Sequence, residues 1–395
     1  MLPTGTTPLG ARARTFNMTA RTHRIAVSVF FFLAGCLFSS WASRIPTVKD
    51  RFHLNEAELG AVLFMLPIGS FIALPFAGWW VSKFGSRFTT TLAALCMSVL
   101  LITLGFCNTV AQISVTLFAF GFFADTMNIA ANTQALDVQD IYQRPLMSSF
   151  HGLWSLGAMT GAVTGGWMMK INAGMNAHFL GLGIPSIILS IIFYFYLVNK
   201  DQVKTSAVIF AWPDKSLMLL GAICFCCTLC EGAMADWSSL YYRQVLQDAG
   251  GVSTTGYTAF TLTMATGRLI GDRVIHWLGN RTVLIGDGLL IAGGLALALG
   301  VQNPVAVIAG FSMVGFGVAT VIPIVYTLAG SNKKMSPSVA LAAVSTVGFT
   351  GFLFGPPVIG FIAHETGLRL ALVLVLVLAL LIVVLAGKMR ITGTS

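Results

Sequence analysis

Charge is what this chain has least of. Only 9% of its 395 residues are Asp, Glu, Lys or Arg, while 56% are apolar, and the mean hydropathy is +0.83. A soluble domain carries about a quarter of its residues as charged groups, so that class is excluded and an integral membrane protein fits. Other absences narrow the reading. No Walker A run is present to bind ATP, and neither a paired-His metal motif nor a Gly-x-Ser-x-Gly elbow occurs. Among six histidines only His151 falls well inside an apolar block, so an intramembrane enzyme would lack its ligands or its base. The seven cysteines lie in or at the edges of apolar blocks, where a disulfide framework is not expected. Cys226, Cys227 and Cys230 share one helical face. A soft-metal site is the chemical alternative there, but buried thiols ordinarily act as small hydrophobes, and neither a metal nor a cofactor is expected. No removable signal sequence is read before the first block, because residues 1–22 are polar, Arg-bearing and too hydrophilic for an h-region.

What is present is a series of long apolar blocks. Crossing a hydrocarbon core of ~30 Å takes roughly 20 helical residues. Twelve blocks qualify, at 24–44, 57–82, 88–107, 111–136, 145–170, 176–198, 215–241, 254–278, 282–302, 304–330, 337–363 and 367–388. They are continuous and rich in Leu, Phe, Gly and Ala rather than alternating, which predicts helices and not a β-barrel. Lys and Arg set the orientation. With the N-terminus inside, the outer segments hold only Arg44, Lys49, Arg51, Lys170, Arg243 and Arg369. The inner ones hold roughly three times as many, which predicts both termini in the cytoplasm. The formal charge of +9 is then topological, with anionic membrane lipid as a partner and no need of nucleic acid.

The chain also repeats itself. "AGWWVSKFGSR" from residue 77 closes the second block and "GDRVIHWLGNR" from residue 271 closes the eighth. Gly85 and Arg87 thereby recur as Gly279 and Arg281, at a shift close to half the chain. A weaker second pair joins "SSFHGLWSLGAMTGA" from 148 to "VSTVGFTGFLFGPPV" from 344. The expected organisation is an N-terminal tail (1–22), a six-helix half (23–198), a polar cytoplasmic linker (199–214), a second six-helix half (215–388) and a short tail (389–395). Such parallel duplications hold a solute between the halves at mid-depth. The fold class is an all-α membrane protein of twelve helices in two pseudo-symmetric halves.

At "GWWVSKFGSR" the chain resembles the signature loop of the major facilitator superfamily. Gly78, Lys83, Gly85 and Arg87 match that pattern, and Ser82 stands where the family usually has an acid. In the second half Gly279 and Arg281 match, while Asp272 and Arg273 lie further upstream. "SSWASRIPTVKD" at 39, "HGLWSLGAMTGA" at 151, "EGAMADW" at 231 and "GFLFGPPVIG" at 351 are similar to segments of the YbjJ-like group of bacterial inner-membrane transporters near the fucose permease branch. The resemblance implies a multi-pass, monomeric inner-membrane protein that uses alternating access. It also implies an inner gate at Ser82, Lys83 and Arg87 of the first loop, with Asp272 in place of the usual first-half acid.

Ionisable groups inside the bilayer point by default to a cavity or a partner. In the fourth block Asp125, Asn128 and Asn132 fall within about 60° on one helical face, at mid-depth. They read as solute and proton contacts, or as an interhelical hydrogen-bond network. His151, with Ser155 one turn on, is a proton relay, a solute donor or a packing residue. Trp154 and Trp41 offer flat apolar faces to a ring, or serve as packing. Arg268 and Asp272, four apart, are expected to neutralise each other in a gate. Glu231 reads as a proton or solute site in the outer half of the cavity. Asp236, about 140° away around the helix, reads as an outer-rim gating or capping residue. Asn55 and Glu58 form a capping box, and the mixed charges from Lys49 to Glu58 are expected to be a solvated outer loop. The functional expectation is a transporter of a small polar solute, a sugar or sugar derivative, driven by a proton gradient. Efflux of amphipathic compounds is the alternative that the Met- and Phe-rich walls allow, and a sensor or scaffold on the same fold is another.

Overall fold

The computed structural model describes residues 19–143, 146–199, 215–247, 254–331 and 337–389. The expected linker beyond residue 199, the N-terminal tail up to residue 18 and the C-terminal tail beyond residue 389 lie outside the described residues. Among the described residues the secondary structure is fourteen α-helices with no strand. They are α1 (Ala20–Ser43), α2 (Ile45–Arg51), α3 (Glu56–Phe84), α4 (Ser86–Phe106), α5 (Val110–Tyr142), α6 (Met147–Lys170) and α7 (Met175–Tyr194), followed by α8 (Lys215–Leu246), α9 (Thr255–Leu278), α10 (Asn280–Gly300), α11 (Pro304–Ala319), α12 (Val321–Gly330), α13 (Pro337–Thr366) and α14 (Leu368–Gly387). Taking α1 with α2 and α11 with α12 as interrupted spans leaves twelve, the number read from the sequence. Ten are long and apolar enough to cross a bilayer. The other two are α6 and α9, and α9 is diluted by Arg268, Asp272 and Arg273.

Two departures from the expected spans have local causes. The tenth is broken at Thr320, between α11 and α12. Pro323 has no N–H to give the carbonyl of Ala319 four residues back, so the ladder fails at that turn. The outer charged segment is not a solvated loop. Residues Ile45–Arg51 form a helix, Lys49 Nζ bonds Glu56 Oε1 at 2.5 Å, and Arg51 bonds the Gly105 carbonyl and Asn108 Oδ1. The capping box is present as expected: Glu58 N donates to Asn55 Oδ1, and Asn55 N to Glu58 Oε2, both at 2.9 Å.

The repeat is visible as geometry. Gly85 (φ 82, ψ 153) joins α3 to α4, and Gly279 (φ 78, ψ 153) joins α9 to α10. That backbone region belongs almost solely to glycine, which is why the residue recurs at both joints. Beyond each, an arginine ties down the end of its half. Arg87 Nε donates to the Tyr194 carbonyl at 3.0 Å, and Arg281 donates to the carbonyls of Ala386 and Gly387.

These ties also fix the ends. His23 Nδ1 bonds the Tyr196 carbonyl, so α1 starts beside the finish of α7. Helices α3 and α13 run antiparallel, Gly60 meeting Pro356 and Gly360 while Phe71 stacks on Phe349. Because α14 returns from the far end of α13, it finishes on the side where α1 begins. Trp41, Phe120, Phe150 and Phe179 fill the first half and Trp237, Tyr241, Phe260 and Phe311 the second, all buried. Val115, Leu269, Trp277 and Phe361 stand exposed on the outside, the composition a lipid-facing surface needs.

Candidate functional site

A cavity of about 390 Å³ lies between the halves. Both contribute walls: α1, α3, α5 and α6 from the first, and α8, α9, α12 and α13 from the second. It is closed at the end away from the termini. There a Cβ on Gly60 would stand 2.8 Å from the Pro356 carbonyl oxygen, Ser39 Oγ and Tyr257 Oη share a 2.7 Å hydrogen bond, and Arg243 bonds Asp50 at 2.5 Å. Each of these contacts joins one half to the other.

Aromatic side chains are prominent in the otherwise largely aliphatic wall, among them Phe31, Phe38, Trp41, Trp154, Tyr257 and Phe352. Set into it are Asp125, Asn128, His151, Glu231, Asp236 and Arg268. Asp125 Oδ1 accepts from Asn128 Nδ2 at 3.4 Å, and Asp125 Oδ2 is buried with no hydrogen-bond partner. Asn132 is not part of the wall. Its amide bonds Asn128 Oδ1 and the Asn128 carbonyl at 2.9 Å each, so it braces Asn128 from one turn along. These bonds all lie within α5, and of the three residues Asp125 and Asn128 reach the cavity wall.

Two expectations are corrected. Arg268 is not paired with Asp272: its Nη2 donates to Glu231 Oε1 at 3.2 Å, its Nη1 to Ser155 Oγ at 3.1 Å, and its guanidinium lies 5.9 Å from the Trp154 ring centre. Asp272, four residues on, is exposed. The carboxylate on neighbouring α8 wins because it shares the guanidinium's low-dielectric surroundings, where their attraction is strongest. Asp236 is not a rim residue, since it lines the same cavity as Glu231. Glu231, Gly232, Ala235 and Asp236 all face in, because a broad concavity admits an arc of about 140° from one helix. His151 lines the wall, its ring edge-on to Phe31 at 5.4 Å, and its carbonyl accepts from Ser155 Oγ.

The sequence match fits this architecture. The family model of the Major Facilitator Superfamily matches residues 26–339. The chain belongs to the major facilitator superfamily. It is 35% identical, over 89% of its length and 91% of the relative's, to an uncharacterized MFS-type transporter of Yersinia pestis. It is 31% identical to the membrane protein MosC of Rhizobium meliloti, covering 88% of this chain and 85% of that one. Among solved structures, the nucleoside transporter NupG overlays with a TM-score of 0.69 at 16% identity, over 93% of this chain and 99% of that one. A bacterial homologue of the lysosomal transporter Spinster, inward-facing and unoccupied, gives 0.74 at 12% identity, over 93% and 96%. Identities this low show the fold alone. As a superfamily member, the chain is a membrane transporter and not an enzyme.

The superfamily loop holds the remaining residues. Ser82 Oγ donates to the Trp79 carbonyl, Lys83 sits 4.6 Å from the Trp79 ring centre, and Arg87 lies over Tyr194 at 4.3 Å. Both partner residues, Trp79 and Tyr194, belong to the same half. The three clustered thiols are buried, Cys227 and Cys230 pointing at the carbonyls of Val318 and Val375. Two polar features escaped the sequence reading. Asp287 on α10 is buried and accepts from Thr320 Oγ1 at 2.5 Å, at the break in the tenth span. The rule that flags acids inside spans would have found it. Tyr257 lines the cavity and forms part of its closed end, and nothing in its sequence surroundings marks it out.

Proposed function

We propose that the protein is a secondary transporter that moves a small polar solute, a sugar or sugar derivative, by alternating access coupled to protons. The observation that carries this reading is the cavity itself. It is walled by both halves, holds ionisable groups from each, and is closed by inter-half contacts at one end. A cavity closed on one side at a time is what coupling a solute to a gradient requires. Rocking of the halves would exchange the Gly60–Pro356 contact for contacts at the other end, near the loops that hold Lys83 and Asp272. Asp125 is the residue assigned to carry the proton, because its buried Oδ2 has no partner that a proton would displace. Asn128 and Trp154 offer hydrogen bonds and a ring face to the solute, and His151 a second polar contact.

The same proposal places the chain as a monomer of the YbjJ-like group in a bacterial inner membrane, with lipid around it and both termini in the cytoplasm. The aromatic walls also favour a second reading, efflux of amphipathic compounds. Counterflow into liposomes holding the purified chain tests the proposal. Accumulation of a labelled sugar that rises with an imposed pH gradient supports it, and accumulation of hydrophobic compounds alone supports efflux. No counterflow of any solute would leave a sensor or scaffold.

A further inference from the structure

The cavity's charges do not balance. Its wall carries three carboxylates, Asp125 on α5 and Glu231 and Asp236 on α8, against one guanidinium, Arg268 on α9. Arg268 is engaged by Glu231. His151, on α6 beside the guanidinium, is of a residue type mostly neutral at pH 7. Cys224, Cys227, Tyr257 and Tyr326, the other titratable groups within electrostatic reach of Glu231, are neutral too in their ordinary forms. Two carboxyl groups are thus left over, one from each half, and Asp125 has a buried oxygen aimed at no donor. Around them stand Trp41, Trp154 and Tyr257, whose ring faces attract cations. An anionic solute would have to displace Glu231 from Arg268 while meeting two further acids.

We infer that the transported solute carries one positive charge, an amine that answers the two acids left over in the cavity wall, Asp125 and Asp236. The inference rests on the transport reading above and adds the charge class to it. Glu231 would remain with Arg268, leaving the guanidinium to exclude cations from that end of the cavity.

The test is binding to the full chain in lipid nanodiscs at pH 7, by calorimetry and thermal shift. The probes are glucosamine, its uncharged counterparts glucose and N-acetylglucosamine, and tetraphenylphosphonium as an apolar cation. A cation bound at least tenfold more tightly than both neutral sugars, with the preference lost in Asp125→Asn and in Asp236→Asn, supports the inference. Asp236→Glu should restore it, which a purely structural role would not require. Neutral sugars bound as tightly as glucosamine, or no binding of either cation, overturns it. The two readings fail separately. Glucose counterflow without cation binding leaves transport standing and removes the charge, whereas cation binding without counterflow does the reverse.

Discussion

Arg268 bonds Glu231 at 3.2 Å and Ser155 at 3.1 Å, so a single guanidinium on α9 holds a carboxylate of its own half and a hydroxyl of the other. The pair is well shielded, with side-chain exposures of 20% and 12%. Removing one partner of a buried pair costs more than the pair contributes, because the survivor keeps its desolvation penalty. Residual exposure lowers that cost to about 2 kcal/mol. Arg268→Met should therefore lower the melting temperature in nanodiscs more than the double change Arg268→Met with Glu231→Leu. Equal melting of the two would mean that the pair is not coupled in the membrane.

Asp125 leads to a functional prediction rather than a stability one. Asparagine keeps its shape and its contact with Asn128 but cannot take up a proton. Asp125→Asn is expected to express and fold normally yet to lose pH-driven accumulation in liposomes, by at least tenfold. Normal accumulation would move proton carriage elsewhere in the cavity. Asn132→Ala should cost only a few-fold in affinity, since Asn132 acts through Asn128.

How much of this was legible in sequence follows from what each feature depends on. Spans such as α14, almost wholly Leu, Val and Ala, depend on composition alone, and so could be read directly. The joints at Gly85 and Gly279 were legible because the chain states them twice. The Arg268–Asp272 pairing failed for the opposite reason. Spacing along one helix identifies which groups can meet locally, but a deeper partner on α8 was available only after the halves had packed. Asp236 was misplaced because depth was counted along a single helix, with no account of how wide the cavity opens beside it.

The closed end yields a prediction about conformation. Gly60 lies against Pro356 and Gly360 so closely that any Cβ there meets backbone, not a movable side chain. The exposed Arg243–Asp50 pair at the same end is worth no more than about 1 kcal/mol, so backbone contact should dominate closure. Gly60→Val is expected to hold the halves apart at that end. Spin labels on α3 and α13 should then report a longer distance than in the unaltered chain, while Arg243→Ala changes it little.

The glycine joints should be equally intolerant for a different reason. Open space surrounds Gly85 and Gly279, so nothing blocks a side chain there. The cost is backbone strain at positive φ, about 1–3 kcal/mol for each. Alanine at either position should lower thermal stability by similar amounts, since the two joints share their dihedrals. A large loss at only one of them would show that the repeat is not energetically symmetric.

Asp287 and Thr320 offer the sharpest separation of packing from polarity. Their 2.5 Å hydrogen bond is buried and joins α10 to the break between α11 and α12. Two residues past that break, Ile322 reaches the cavity wall. Asp287→Leu strands the Thr320 hydroxyl in an apolar setting and should cost about 2 kcal/mol. Thr320→Val strands the carboxyl and should cost at least as much, because an acid is harder to leave unpaired than a hydroxyl. Changing both together removes the polar groups at once and should recover most of either loss. If the break is set by Pro323, solute affinity in the double variant stays near that of the original chain. A tenfold loss of affinity in a double variant that is otherwise stable would instead assign to the Asp287–Thr320 bond the placement of α12 against the cavity.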